Sequence, residues 1–197
     1  MTEETELIER LSRGETAAFR DLVERYKKKV YYLALDVARN PADAEDISQE
    51  VFLKAFRSFK TFKKGSKLGS WLYRITYNAG IDHLRRRSLY PETVESEVLD
   101  AGVPAGPGSA ASKTQDPGRI AENRLLREHI DRALLKLSLQ ERMVFTLRHD
   151  NDLMLEEIAE VMSISIGSVK SYLFRSLQKL RKEMSPHLNI PAREDPA

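Results

Sequence analysis

The stretch Leu155–Arg181, LEEIAEVMSISIGSVKSYLFRSLQKLR, decides the fold of the C-terminal part of the chain. At about 100° per residue, one side of its second half is an apolar stripe that can bury itself against neighbouring helices. That stripe consists of Val169, Leu173, Ser176, Leu177 and Leu180. Ala159 lies ten residues before Val169, a spacing at which a small residue lets a second helix cross close to the first. The pattern predicts a helix-turn-helix.

The residues on the opposite side of the second helix are small, polar or basic, and packing in a core does not need them. Ser165 is placed to cap the helix, and its free amides then suit a phosphate. With this helix in a major groove, polar side chains reach base edges and backbone. The candidate duplex-DNA contacts are Ser165, Ser168, Lys170, Ser171 and Arg175. The alternative is a plain helical hairpin that binds nothing, but the turn, the cap and the acid-free second helix together favour DNA binding. Phe174 either belongs to this face or packs on the preceding helix.

The rest of the chain also has helical periodicity, so the sequence predicts an all-α protein. Apolar residues from Phe19 to Val37 follow the spacing of one long amphipathic helix, and Asn40-Pro41 ends it and begins the next. The second helix runs to about Phe56, and a third begins near Ser70. In the C-terminal half, helices are expected over 120–137, 138–149 and 155–162, with Ser138 and Glu141 forming a capping box.

A change in composition divides the chain. Residues 88–118 contain four of the eight prolines, four of the nine glycines, and five acidic residues against one lysine. Such a segment buries too little apolar surface to order itself. We therefore predict two small helical domains, residues 1–87 and 119–182, joined by a flexible acidic linker, residues 88–118, with a polar tail over 183–197.

Between Phe56 and Arg87, nine basic residues alternate with aromatic ones against a single acid, Asp82. Basic groups follow a phosphate backbone while flat rings stack on unpaired bases, so this mixture suits single-stranded nucleic acid. Its loop, residues 63–69, can receive a base swung out of the stack. For Trp71 and Tyr73, a purely structural role in the core is the equally weighted alternative.

The helix from Asp43 to Phe56 presents a face of mixed charge with one apolar residue. That face consists of Asp46, Gln49, Glu50, Leu53 and Lys54. Such a mixture is typical of a protein-binding surface, although an ordinary solvated face accounts for it equally well.

The composition argues against an enzyme. The four histidines are scattered and cysteine is absent, so neither a metal-ligand set nor a nucleophile constellation is apparent, and no Gly-rich phosphate loop is present. No cofactor is expected. Neither a basic leader nor a membrane-spanning stretch is visible, so a cytoplasmic protein without membrane insertion is expected.

Three motifs together resemble the bacterial sigma-70 family of RNA polymerase sigma factors, in its extracytoplasmic-function (ECF) group. They are DAEDISQEVFLKAFRSF, GSWLYRITYNAGIDHLRRR and LSLQERMVFTLRHDNDLMLEEIAEVMSISIGSVKSYLFRSLQKLR. The resemblance runs from about Leu7 to Lys182 in the family's order, with the linker in the expected place. It implies promoter recognition on behalf of RNA polymerase.

The resemblance also implies roles for individual residues. The first helix motif would bind the clamp coiled coil of the largest core polymerase subunit through Asp46, Gln49, Glu50 and Leu53, alongside other core surfaces. The melted minus-ten element would be held by Phe62, Lys63, Ser66, Leu68, Trp71, Asn78 and Arg85. The duplex minus-thirty-five element would be read by the helix-turn-helix residues named above. An anti-sigma factor is the expected regulatory partner.

The sequence departs from the family pattern at two places. Leu68 and Gly69 stand where an aromatic or Ser-Phe type pair is more usual, and Tyr172 stands where many relatives carry Arg. An alternative to the sigma-factor interpretation, besides an enzyme, is a stand-alone regulator. Its C-terminal part would bind operators while its N-terminal part senses a ligand or partner. The basic, aromatic N-terminal surface argues against that rival.

Overall fold

The computed structural model describes residues 3–63, 65–89, 130 and 133–188, and all regular structure within these residues is helical. The all-α prediction is confirmed. In chain order the helices are α1 (Glu3–Ser12), α2 (Thr16–Ala38), α3 (Pro41–Ser58), a 3-10 turn (Phe59–Thr61), α4 (Leu68–Leu89), α5 (Leu139–His149), α6 (Leu155–Met162) and α7 (Ile166–Leu188). The linker and most of the helix expected over 120–137 lie outside the described residues, although residues 133–135 are helical.

The boundary between α2 and α3 forms as local chemistry predicts. Arg39 adopts a left-handed conformation (φ 56°), and its amide donates to the Leu35 carbonyl. The side chain of Asn40 then accepts a hydrogen bond of 3.1 Å from the Asp43 amide, with Pro41 as the first helical residue. The last turn of α2 and the first turn of α3 are thus both capped at one short corner.

Helices α2, α3 and α4 pack on one another and form the N-terminal core. Leu22, Leu33, Ile47 and Leu72 are fully buried there. Helices α2 and α4 cross very closely at Gly80, where a Cβ atom would lie 2.7 Å from Val37 Cγ1. A glycine is therefore required at this crossing for steric reasons.

Helices α5, α6 and α7 form the C-terminal part, which begins with the predicted capping box. The Glu141 carboxylate accepts from the Ser138 amide at 2.9 Å, and the Ser138 hydroxyl accepts from the Glu141 amide at 3.3 Å. Lys179 of α7 also binds Glu141 at 2.7 Å, tying the two helices together. The chain stays helical past Lys182 as far as Leu188, and Glu183 pairs with Lys136.

The two halves are in direct contact. Helix α4 packs against α6, and α2 packs against α5. The buried apolar residues of both halves form one continuous cluster, which extends from Leu7 to Val169. The described chain therefore has one shared core.

Candidate nucleic-acid interface

The turn between α6 and α7 has the geometry of a helix-turn-helix. Ser163 ends α6 in a left-handed conformation (φ 55°), and the amide of Ile164 donates to Ala159 at 3.0 Å. Ser165 then caps α7, its hydroxyl accepting from the Ser168 amide at 3.0 Å. Val169 is completely buried, so the apolar contact that fixes the crossing is present as predicted.

The polar face of α7 is open to solvent. Ser165, Lys170, Ser171 and Arg175 are exposed, and Ser168 is half-buried with its hydroxyl 2.9 Å from that of Ser165. The five predicted duplex-contacting residues therefore share one solvent-facing region around the start of α7. Ser168 differs from the others, because its hydroxyl is already engaged in the cap.

Tyr172 contributes to the polar face of α7 through a contact with Arg175. The Arg175 guanidinium lies over the Tyr172 ring, 5.5 Å from its centroid. Such a cation–π contact restrains the guanidinium while leaving its donors available. A tyrosine in place of arginine thus removes one cation and orients another.

Two apolar side chains of α7 do not follow the predicted stripe. Phe174 is 63% exposed, so it does not pack on the preceding helix, and Leu177 is 45% exposed. By helical projection Phe174 lies between Lys170 and Ser171 and so belongs to the polar face, whereas Leu177 lies on the side away from Arg175. Leu177 was wrongly placed in the buried stripe.

Three aromatic side chains of the N-terminal half, which follow α3 or lie on α4, pack on one another in a cluster. Phe59 and Phe62 stack nearly parallel with centroids 5.4 Å apart, and each meets the edge of Trp71 at 5.6 Å. Trp71 is 6% exposed and Leu68 is fully buried. In this arrangement both residues are part of the core, and their contact with a melted strand stays a prediction.

The other predicted minus-ten residues are accessible. Lys63, Ser66, Asn78 and Arg85 are exposed, and Phe62 is half-buried at the edge of the aromatic cluster. Within the basic run at the end of α4, Arg86 and Arg87 bind carboxylates of α3, at 3.2 Å and 2.7 Å. Within the part of the chain that the structure describes, the one ion pair of Arg85 is a 3.7 Å contact with Asp82, so Arg85 is the most available cation of that run.

Helix α1, which the sequence did not predict, lies beside the loop formed by residues 63–69. Glu4 Oε1 accepts a 2.9 Å hydrogen bond from the Leu68 amide and so caps α4 from a distant part of the chain. Between α1 and the loop lies a cavity of about 710 Å³, lined on the loop side by Phe62, Gly65, Ser66 and Lys67. The cavity is large enough to hold a nucleobase.

The mixed face of α3 is exposed. Asp46, Gln49 and Leu53 face solvent, with Leu53 57% exposed. Glu50 is partly enclosed, and its pKa lies below its usual range because Lys54 and Arg86 bind the carboxylate, which outweighs the effect of burial.

Sequence reasoning missed one member of the α3 face, Phe56. It is 60% exposed, and its ring meets the edge of Phe19 with centroids 5.0 Å apart. An exposed aromatic next to Leu53 makes an apolar centre with a charged rim, as in a protein-binding surface.

Among the described residues, no group of three or more acidic or histidine side chains is placed to hold a metal ion. No described helix is long and apolar enough to cross a membrane.

Comparison with known proteins assigns both halves to one family. Residues 22–90 match the sequence profile of Sigma-70 region 2, and residues 127–180 match that of Sigma-70 region 4.

Full-length relatives agree with the profiles. The chain is 33% identical over 182 residues to the ECF RNA polymerase sigma factor SigW of Bacillus subtilis, covering 90% of this chain and 94% of the relative. It is 31% identical over 180 residues to the ECF RNA polymerase sigma-E factor of Escherichia coli, covering 91% and 93%.

Two solved structures share the fold. CnrH in complex with the cytosolic domain of CnrY has a TM-score of 0.64 at 20% identity, covering 94% of this chain and 99% of the other. The sigma factor RpoE in complex with the anti-sigma factor NepR from Bartonella quintana has a TM-score of 0.64 at 24% identity, covering 86% and 98%.

Proposed function

Because this chain belongs to the sigma-70 family of RNA polymerase sigma factors, in its ECF group, we propose that it reads two promoter elements in two physical states. As a sigma factor, it binds core RNA polymerase and promoter DNA and takes part in transcription initiation. The proposal assigns the minus-thirty-five element to the C-terminal half as duplex, and the minus-ten element to the N-terminal half as melted strand.

Duplex recognition is assigned to the start of α7. The observation that carries this assignment is the capped helix-turn-helix, with Ser165, Lys170, Ser171 and Arg175 exposed on one region of α7. A helix presented in this way enters a major groove with its N-terminal residues toward the bases. Ser168 contributes indirectly, because its amide donates to the Ser165 hydroxyl and so holds the cap of α7.

Strand opening is assigned to the loop, residues 63–69, and to α4. Phe62 and Ser66 line the cavity, and Lys63 of the loop and Asn78 and Arg85 of α4 are exposed, with groups that can bind phosphate and base edges. Unpairing costs a few kcal/mol for each extruded base. Stacking and capture of that base offset the cost, and Leu68 and Trp71 contribute by holding the aromatic cluster in place.

Attachment to the core polymerase clamp is assigned to the exposed face of α3. Asp46, Gln49, Glu50 and Leu53 form this face, and Phe56 extends it. Holding both halves on one polymerase makes the second DNA contact intramolecular, so neither half needs high affinity of its own.

The remaining parts of the proposal come from the family. Residues 1–87 and 119–182 act as the two functional domains, with 88–118 as linker and 183–197 as tail, and the chain has no bond-making step. It works in the bacterial cytoplasm beside RNA polymerase. Control by an anti-sigma factor is supported by the two solved relatives of this fold, each named as a complex with a second protein.

Selection of DNA from a random-sequence duplex pool tests the proposal against a stand-alone regulator. With core polymerase present, the selected DNA should contain two conserved blocks at one fixed spacing. The chain without polymerase should select neither block efficiently. A single palindromic site, selected equally well without polymerase, would favour the operator-binding regulator.

A further inference from the structure

Helix α2 carries a stripe of cations that lies outside the two DNA-binding regions and the α3 face. At about 100° per residue, Arg25, Lys28, Lys29 and Tyr32 fall within one arc of the helix surface, about 100° wide. Arg25 and Lys28 are exposed, and Lys29 and Tyr32 are half-buried. These four residues form the α2 stripe.

The acidic residues at both ends of the α2 stripe are bound by other helices. Asp21, one turn before the stripe, pairs with Arg10 of α1 at 2.8 Å. Asp36, one turn after it, accepts a 2.8 Å hydrogen bond from the Thr146 hydroxyl of α5. Both carboxylates are therefore held by partners outside α2.

The cations of the α2 stripe are not neutralised in this way. Within the described ranges, no ion pair joins Arg25, Lys28 or Lys29 to a carboxylate, whereas the neighbouring Lys27 binds Glu24 at 2.6 Å. The three cations lie within about 6 Å of helix length. Clustered charge of one sign creates a potential that attracts a polyanion.

The α2 stripe lies next to the minus-ten loop. Tyr26, which follows Arg25, meets the edge of Tyr73 with ring centroids 6.3 Å apart. A Cβ atom on Gly69, where the loop passes into α4, would lie 3.4 Å from Tyr26 Cε1. The stripe therefore begins beside the loop and continues along α2 toward Asp36, where the C-terminal half binds.

The chemistry of the α2 stripe favours a duplex over an unpaired strand. Unpaired bases are held by stacking on aromatic rings, but the ring of Tyr32 is half-buried and meets the edge of Tyr31 with centroids 5.5 Å apart. Cations without a stacking surface bind the backbone, and duplex DNA carries one negative charge for about every 1.7 Å of its axis. Three cations within one turn can thus face several phosphates.

We propose that Arg25, Lys28 and Lys29 bind the phosphate backbone of the duplex that adjoins the melted minus-ten strand, on the side toward the minus-thirty-five element. These contacts position the duplex and carry no sequence information. They hold its end beside the loop, where the strands separate. The inference rests on the proposed function of the loop, because a duplex ends there only if the loop holds the melted strand.

Salt-dependent DNA binding by the holoenzyme tests this role. The double variant Arg25→Gln, Lys28→Gln removes two cations of the stripe. The double variant Arg20→Gln, Lys27→Gln removes two exposed cations from the opposite flank of α2 and is the matched control. Glutamine is a good helix former, so both variants should keep α2 intact.

The probe is a fluorescein-labelled duplex that contains the two blocks selected with core polymerase, with the minus-ten block mismatched so that it is already open. Fluorescence anisotropy gives the association constant over a series of salt concentrations. For the stripe variant, the slope of log K against log salt should fall in magnitude by about 1.8, because each lost phosphate contact contributes ~0.9. The control should keep the wild-type slope, and equal changes in both variants would overturn the proposal.

A second probe locates the contact. A single strand with the minus-ten block alone has no adjoining duplex, so the stripe variant should bind it as tightly as wild type. An equal loss on this strand would assign the stripe to the melted strand, and an equal loss of core-polymerase affinity would assign it to the polymerase. Either result would overturn the proposal.

Failure of this inference is distinguishable from failure of the proposed function. Wild-type holoenzyme that binds the open duplex, together with an unchanged salt slope in the stripe variant, would overturn the role of the α2 stripe alone. Wild-type holoenzyme that binds neither probe would contradict the proposed function of the loop, and the inference would fall with it.

Discussion

At the scale of single residues, orientation matters as much as identity. Arg175 and Tyr172 show this, because the tyrosine ring restrains the guanidinium that the helix presents to solvent. Asn78 is exposed on α4, one turn beyond the partly covered Ile75. Each of these side chains is assigned to one promoter element, so each assignment is testable by itself.

Replacing Arg175 with alanine should weaken duplex binding by about tenfold, because one good base contact contributes ~1–3 kcal/mol of discrimination. Affinity for core polymerase should hardly change. Fluorescence anisotropy with holoenzyme and a promoter duplex measures the first quantity, and core titration the second. Lys182→Ala, exposed at the far end of the same helix, is the charge-matched control, and equal loss in both measurements would contradict the domain assignment.

For Asn78→Ala the expected defect is in strand opening. Duplex binding by the holoenzyme should persist, while thymines of the minus-ten region should lose reactivity in permanganate footprinting, because a group that holds the melted strand has been removed. Asp82→Asn, exposed one turn later on α4, should open normally. Wild-type thymine reactivity in Asn78→Ala would count against its role.

At the scale of elements, caps and close crossings decide where helices begin and how they meet. The corner at Asn40-Pro41, the capping box of Ser138 and the cap at Ser165 all formed as predicted. These features depend on neighbours within three or four residues, so sequence alone specifies them. Helix α1 escaped prediction because its apolar stripe is short and its Leu7 and Leu11 are buried only by the assembled fold.

The crossing of α2 and α4 predicts a strong effect of Gly80→Ala. Its Cβ would lie 2.7 Å from Val37 Cγ1, and overpacking of this kind costs about 1–3 kcal/mol. The free energy of unfolding, measured by urea denaturation, should fall by that amount. Gly167→Ala is the matched control, because its Cβ would meet nothing closer than Ser165 Oγ at 3.7 Å, and it should be neutral or slightly stabilising. Equal losses would contradict the crossing.

At the scale of the whole molecule, the sequence indicated the two helical halves and their order but not their mutual packing. The contacts of Asp36 with Arg142 and of Lys67 with Glu157 join residues 106 and 90 positions apart. No periodicity or spacing in the sequence encodes such pairs. The same limit applies to Trp71, which the sequence left equally balanced between core and DNA and which the structure buries.

The bonds of two carboxylates, Glu141 and Glu157, predict a pH dependence of stability. Burial raises the pKa of Glu141, but bonds from Lys179 and Ser138 outweigh it and hold the pKa below the ordinary value of 4.5. A carboxylate with a depressed folded-state pKa stabilises the fold fully above its unfolded pKa, and this contribution is lost as pH falls through the folded pKa. Glu157 behaves likewise: burial raises its pKa, and bonds from Met154, Lys67 and Ser70 lower it by more.

Thermal unfolding of the wild type should therefore show a falling midpoint as the pH drops from neutral to below 4.5. Glu141→Gln, which keeps an acceptor for the Ser138 amide but loses the charge, should be less stable at neutral pH and show a shallower acid dependence. Parallel curves for the two proteins would contradict the assigned role of Glu141.

Specific initiation with core polymerase tests the central claim most directly. The purified chain, core RNA polymerase and genomic promoter fragments should yield discrete run-off transcripts, and core polymerase alone should yield none of them. A stable operator complex formed without polymerase, together with no specific transcript when polymerase is added, would contradict the account.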